Sequence, residues 1–141
     1  MRLIHALFPV LLLAGCSSFK ADPEHITQVP ADRVLGYQTP LAGGGQVVVN
    51  RDLGMLGGGC YVAVLVDRQV AARIGIGEQV TLHVPAGKRV VGIGVDAADD
   101  TLCSKGRLRK EIAVPIVAGQ TQQVRIVSQS QGGFNLHIEM P

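Results

Sequence analysis

From Gln46 onward, short apolar runs alternate with polar or turn residues, and this period of two most constrains the fold. Phe134, Leu136, Ile138 and Met140 alternate with Asn135, His137 and Glu139. Val80, Leu82 and Val84 fall on one face of an extended chain, and Gln79, Thr81 and His83 on the other. Val91, Ile93 and Val95 alternate with Gly92 and Gly94. Ile112, Val114 and Ile116 share a face within Leu108 to Val117, where Pro115 points to an edge strand or a bulge. Tyr61 to Val66 is continuously apolar, as a strand covered on both faces would be. Val47-Val48-Val49, Gln69 to Ile74 and Thr121 to Val127 supply further runs. Asp67-Arg68, Pro85-Ala86-Gly87 and Ala118-Gly119 punctuate them as turns.

No comparable stretch carries a helical period. The chain lacks Trp and has 4% aromatics, so its core must rest on Val, Ile and Leu. Val and Ile are branched at Cβ and favour strands, and the 18 glycines suit many turns. The spacing predicts an all-β domain over residues 45–141, an antiparallel β-sandwich or small barrel of about seven to eight strands.

The N-terminus is of a different kind. Arg2 precedes an apolar run from Leu3 to Leu13, which is too short for a spanning helix of about 20 residues but suits a secretory signal. Leu13-Ala14-Gly15-Cys16 follows. This resembles the lipobox of bacterial lipoproteins, a Leu and two small residues before the cysteine whose thiol takes the lipid. The resemblance implies a signal peptide over residues 1–15 and a mature chain beginning at Cys16 with three acyl chains, an anchor well beyond a single marginal one. It also implies the outer membrane, because Ser17 stands where an Asp retains such proteins in the inner one. Residues 16–44 hold Pro23, Pro30, Pro40 and Gly43-Gly44-Gly45 at their end and show no sustained period. They are expected to be a flexible tether reaching about 25 to 35 Å, with one short helical turn near Ala31 to Tyr37.

With Cys16 lipidated, two of the three cysteines remain. In an oxidising compartment Cys60 and Cys103 are expected to form a disulfide. They lack the Cys-x-x-Cys spacing and the nearby histidines of a redox or metal pair.

No catalytic constellation stands out. His5 leaves with the signal, His25 lies in the tether, and His83 and His137 fall on polar strand faces. Asp96, Asp99 and Asp100 crowd one loop without calcium-loop spacing. Gly54 to Gly59 is glycine-rich but lacks the Lys and Ser or Thr of a phosphate loop, and Gly87-Lys88-Arg89 fails similarly. Ser17, Ser18, Ser104, Ser128 and Ser130 have no nucleophile-elbow context. Arg107, Arg109 and Lys110 make a small basic patch. Formal charge is +2, and loss of Arg2 leaves twelve basic against eleven acidic side chains, so no strong field draws nucleic acid.

Several segments add a second resemblance: Gly58-Gly59-Cys60-Tyr61-Val62, Val66-Asp67-Arg68-Gln69-Val70-Ala71, Gly77-Glu78, Val84-Pro85-Ala86-Gly87-Lys88, Leu102-Cys103, and Ala118-Gly119 before Arg125-Ile126. From about Gly57 to Met140 the chain resembles small uncharacterised bacterial lipoproteins with a PEGA-like β-sandwich domain. It departs from them in having Arg68 where an Asp-Gly turn is usual. Some of that group bear the label 3-isopropylmalate dehydratase. That chemistry needs an iron–sulfur cluster on three cysteine thiolates, which two remaining cysteines do not supply.

The expected function is that of a non-catalytic envelope lipoprotein. A membrane-anchored β domain faces the periplasm and binds an envelope protein, peptidoglycan or a small ligand, with no cofactor, metal or nucleic acid. The alternative is a periplasmic enzyme whose site assembles from distant residues such as His83, His137, Asp99 and Asp100.

Overall fold

A computed structural model describes residues 17–54, 60–95, 108–129 and 133–140. The signal segment 1–15, Cys16, Cys103, the acidic loop residues Asp96, Asp99 and Asp100, Ser104, Arg107 and Ser130 lie outside the described residues, as does most of the glycine-rich stretch after Gly54.

The described chain is all-β. Its strands are β1 (Thr27–Gln28), β2 (Gly45–Arg51), β3 (Val62–Val66), β4 (Gln69–Ile74), β5 (Glu78–Val84), β6 (Gly87–Gly94), β7 (Arg109–Ile116), β8 (Thr121–Gln129) and β9 (Gly133–Glu139). Eight of them match the runs read from sequence, and β1 comes from the presumed tether. They form two sheets, β1-β5-β2-β8-β9 and β4-β3-β6-β7, which is a sandwich and not a closed barrel. The four-stranded sheet is antiparallel throughout. The five-stranded sheet is mixed: β2 and β8 run parallel, as do β1 and β5. Between β2 and β8 the chain crosses to the other sheet for β3 and β4, returns for β5 and crosses again for β6 and β7, so β2 and β8 pair with five strands between them in the chain.

The period of two is realised in packing. Strand β5 alternates buried and half-buried along its whole length, with Val80, Leu82 and Val84 inward. They meet Val47 and Val49 of β2 and Val124 and Ile126 of β8, all facing Val62, Val64, Val66, Ile74, Val91, Ile93, Val114 and Ile116 of the other sheet. Each such side chain contributes about 1.5 to 3 kcal/mol on burial. The core is thus a Val/Ile/Leu core, as the missing aromatics require. Pro115 sits on β7, which among the described residues has no strand on its other side, so its missing N–H costs no ladder bond.

The β3–β4 hairpin turns through Asp67 and Arg68, both with positive φ (47° and 66°). Two such residues between paired Val66 and Gln69 give a type I′ turn, whose twist matches that of the strands. Arg68 therefore takes the place usually given to glycine. The Asp67 carboxylate fixes the corner by accepting from the Val90 N–H at 3.0 Å and from Arg89 at 3.3 Å.

The expectation of a tether over residues 16–44 is corrected: from Ser18 on, the segment is a strap laid on the sandwich. The Thr27 and Val29 N–H groups donate to the Gly77 and Gln79 carbonyls along the free edge of β5. After a 3-10 turn at Ala31–Arg33, the Leu35 and Gly36 N–H groups donate to the Ala71 carbonyl on the edge of β4. The His83 N–H then donates to the Tyr37 carbonyl. The strap thus covers two adjoining sheet edges that would otherwise expose unpaired backbone groups. Ala21 and Val29 of the strap are buried, and Val29 joins the core. The physical reason is pairing: the segment's prolines and lack of periodicity allow no long strand, but they do allow the two-residue β1 and single backbone bonds on a preformed edge.

Candidate functional site

Two features of the sandwich are candidates for function. The first is a groove on the outer face of the four-stranded sheet. Val91 and Ile93 point into the core, so Gly92 and Gly94 lie on the outer face with no side chains to fill it. Gly92 pairs with Leu65 of β3 on one side and Glu111 of β7 on the other. The resulting depression holds about 300 Å³, with Leu65, Val90 and Leu108 as apolar walls. Arg68, Arg109 and Lys110 stand at its rim, and Arg68 is joined to Glu111 at 3.1 Å. That hydrogen bond holds the exposed Glu111 carboxyl below the ordinary carboxylate value and raises the Arg68 guanidinium. The groove can take a body with apolar surface and an acidic group.

The second is a cluster of charges at the end of the sandwich where β2 and β4 finish and β3 and β5 begin. Arg33 of the strap donates to both carboxylate oxygens of Glu78, at 2.8 and 2.6 Å, and to the Arg73 carbonyl at 3.1 Å. Its guanidinium stacks 4.2 Å from the centre of the Tyr61 ring. The bond to Glu78 raises the Arg33 pKa against the opposing effect of burial. Glu78 also accepts from the Gly75 N–H at 2.7 Å. Arg51 is 2% exposed and donates to the Cys60 and Ile74 carbonyls at 2.7 and 2.9 Å. Burial pushes its pKa down to about 10, so it stays charged at neutral pH. On the outer face of the five-stranded sheet, Asp52 receives both Arg125 (2.5 and 2.7 Å) and the Ser18 hydroxyl (2.6 Å).

These buried charges bind one another and the backbone. Among the described residues, every buried side-chain nitrogen or oxygen has a hydrogen-bond partner. A buried charge is tolerable only when paired in this way, and the pairs here join strap, loops and strands. The cluster is therefore chiefly structural, whereas the groove is open to a partner.

Of the residues singled out from sequence, Cys60 is half-buried beside this cluster, its carbonyl held by Arg51, while Cys103 lies outside the described residues. His83 and His137 do occupy the polar faces of their strands. They share the outer face of the five-stranded sheet, but β2 and β8 stand between them, and His83 aligns with Gln46 while His137 aligns, through Arg125, with Asn50. Three strand spacings and four residues put them about 19 Å apart. The structure does not bring them together, and Asp99 and Asp100 lie outside the described residues. His25 is exposed near Asp22, at 3.8 Å. Arg109 and Lys110 are exposed at the groove rim. Ser18 and Ser128, unremarkable in sequence, bond to each other. Among the described residues, no group of three or more His, Cys, Asp or Glu comes together as metal ligands.

The sequence reading passed over Arg33, Arg51, Asp52 and Glu78 as a set. Their one sequence signal is the charged pair Arg51-Asp52 directly after the apolar Val47 to Val49, which reads equally well as a strand end.

Comparison with protein-family models, with curated proteins and with solved structures finds no match.

Proposed function

We propose that this chain is a lipid-anchored, non-catalytic envelope protein: a β-sandwich held by acylated Cys16 in the outer membrane, facing the periplasm and presenting the Gly92–Gly94 groove to a partner. The observation that carries the reading is the junction at Ser18. The lipobox ends at Cys16, and the chain is bonded into the sandwich two residues later, where the Ser18 N–H donates to the Ser128 carbonyl at 2.9 Å. Signal cleavage before Cys16 would leave that junction intact. The resemblance to lipoproteins with PEGA-like domains agrees with a two-sheet architecture, and a periplasmic location agrees with a Cys60–Cys103 disulfide.

The groove's apolar walls and cationic rim suit an acidic, partly apolar partner, either a segment of an envelope protein or an acidic cell-wall group. The separation of His83 and His137 gives the alternative, an enzyme built on them, no support.

The test has two stages. Intact mass of the membrane-extracted protein should give a chain that begins at Cys16 and carries acyl groups. Capture from solubilised envelopes should then recover a protein or peptidoglycan partner with the wild type and not with Gly94→Val. A Cβ at Gly94 meets only ordinary contacts, 3.4 Å from the Leu108 carbonyl and 3.6 Å from Leu65, so a side chain there can start into the groove without a clash at Cβ. Retention of residues 1–15 would overturn the anchor. Equal capture by both proteins would overturn the groove.

A further inference from the structure

The strap changes what a lipid anchor at Cys16 would do. A free tether would let the domain hang clear of the membrane, but no slack remains after Ser18. The Ser18 N–H donates to the Ser128 carbonyl, the Ser128 N–H donates to Ser18 Oγ at 2.8 Å, and Ser18 Oγ donates to Asp52 at 2.6 Å. Phe19 and Leu53 then exchange both backbone bonds, at 2.9 and 2.8 Å. Only Ser17 stands between this junction and Cys16, so the two Cα atoms of Cys16 and Ser18 are at most about 7 Å apart. The headgroup layer outside the hydrocarbon is itself only about 5 to 7 Å deep. Acyl chains on Cys16 can reach the hydrocarbon only if this part of the sandwich rests on the headgroups.

The surface at that point fits such a position. Ser17 and Ser18 border a shallow depression on the outer face of β8 and β9, together with Arg125, Val127, His137 and Glu139. Lys20 pairs with Glu139 at 2.9 Å across the same face. Phe19, between Ser18 and Lys20 and bridged to Leu53, is 60% exposed at this junction, whereas Met140, which follows the Glu139 paired with Gln123, lies at the far end of β8. An exposed Phe can enter the boundary between headgroups and acyl chains while the lysine beside it keeps its ammonium in water.

We infer that the Ser18 end of β8–β9, with Phe19, is a membrane-docking surface, seated on the phospholipid headgroups by the Ser18 junction. The inference rests on the proposed acylation of Cys16. It makes the domain's orientation fixed: the turn at Val117, at the far end of β8 from Ser128, points away from the bilayer.

The absence of Trp provides the test. Acylated full-length protein, purified from membranes and reconstituted into phosphatidylethanolamine–phosphatidylglycerol vesicles containing phospholipid brominated near the headgroup, is studied as three single-tryptophan variants: Phe19→Trp, Met140→Trp and Val117→Trp. Phe19→Trp should lose most of its emission, while Met140→Trp and Val117→Trp, both at the far end of β8, should keep theirs. Phe19 is more than half exposed and outside the core cluster, so its variant leaves the packing intact. Acylated Cys16 with all three tryptophans equally quenched or equally unquenched overturns the docked arrangement alone. Unmodified Cys16 in the mass spectrum overturns the docking and the anchor together.

Discussion

Arg33 and Glu78, 45 residues apart in the chain, are joined by two hydrogen bonds of 2.8 and 2.6 Å with both side chains largely buried. This pair locks the N-terminal strap to the first residue of β5. Removing one partner leaves the other's charge buried, at a cost of about 3 kcal/mol. Glu78→Ala and Arg33→Ala should each lose that much in denaturant unfolding, and the double variant should lose less than the sum. Amide exchange at Val29 and Leu35 should accelerate in both single variants if the strap loosens first. Unchanged exchange there would show that the pair does not hold the strap.

Arg68 carries a left-handed backbone that glycine adopts without penalty. Arg68→Gly should stabilise the hairpin by about 1 kcal/mol from relief of that strain, reduced by the loss of its exposed pair with Glu111. Thermal unfolding that falls below the wild type would contradict the type I′ assignment.

The same pair sets a pH dependence. Glu111 is held below its ordinary pKa by the Arg68 hydrogen bond. Its contribution to stability is therefore present above the ordinary carboxylate value and fades as pH falls through the lowered one. In Arg68→Ala the Glu111 carboxyl should titrate at a higher pH than in the wild type, followed by its side-chain carbon chemical shift. The difference should shrink at high salt, because the pair is exposed.

Gly45 opens β2 against the turn that leads into β8. A Cβ there would stand 2.7 Å from the Val117 carbonyl, 2.8 Å from Ile116 Cγ2 and 3.0 Å from the Gln120 carbonyl. Two of these are backbone atoms that cannot swing aside. Gly45→Ala should destabilise by about 2 kcal/mol, read from the urea midpoint. Gly119→Ala meets nothing within 4 Å and should suffer only from its positive φ of 73°.

The proposed Cys60–Cys103 disulfide closes a long loop. Both thiols should alkylate only after reduction, and reduction should cost about 3 to 4 kcal/mol on the chain-entropy model. Alkylation without reductant would remove the disulfide and with it the support it lends to a periplasmic location.

The strands were legible in the chain because their signal is local. The alternation of Val80, Leu82 and Val84 with Gln79, Thr81 and His83 states which face is buried, and Asp67-Arg68, Pro85-Ala86-Gly87 and Ala118-Gly119 state where the chain turns. Nothing local states that β2 lies parallel to β8, because that pairing joins residues some 75 positions apart. The charge cluster was equally hidden: nothing local links Arg33, Arg51 and Glu78, which the fold sets side by side.

The sequence alone determined the all-β character, the apolar makeup of the core and the place of Pro115 at an edge or a bulge, since backbone sterics and side-chain periodicity act between near neighbours. Only the tertiary structure decided that residues 18–44 are a strap and not a tether. Their bonds go to the exposed edges of β5 and β4, and an edge exists to be paired only once the sheets have formed.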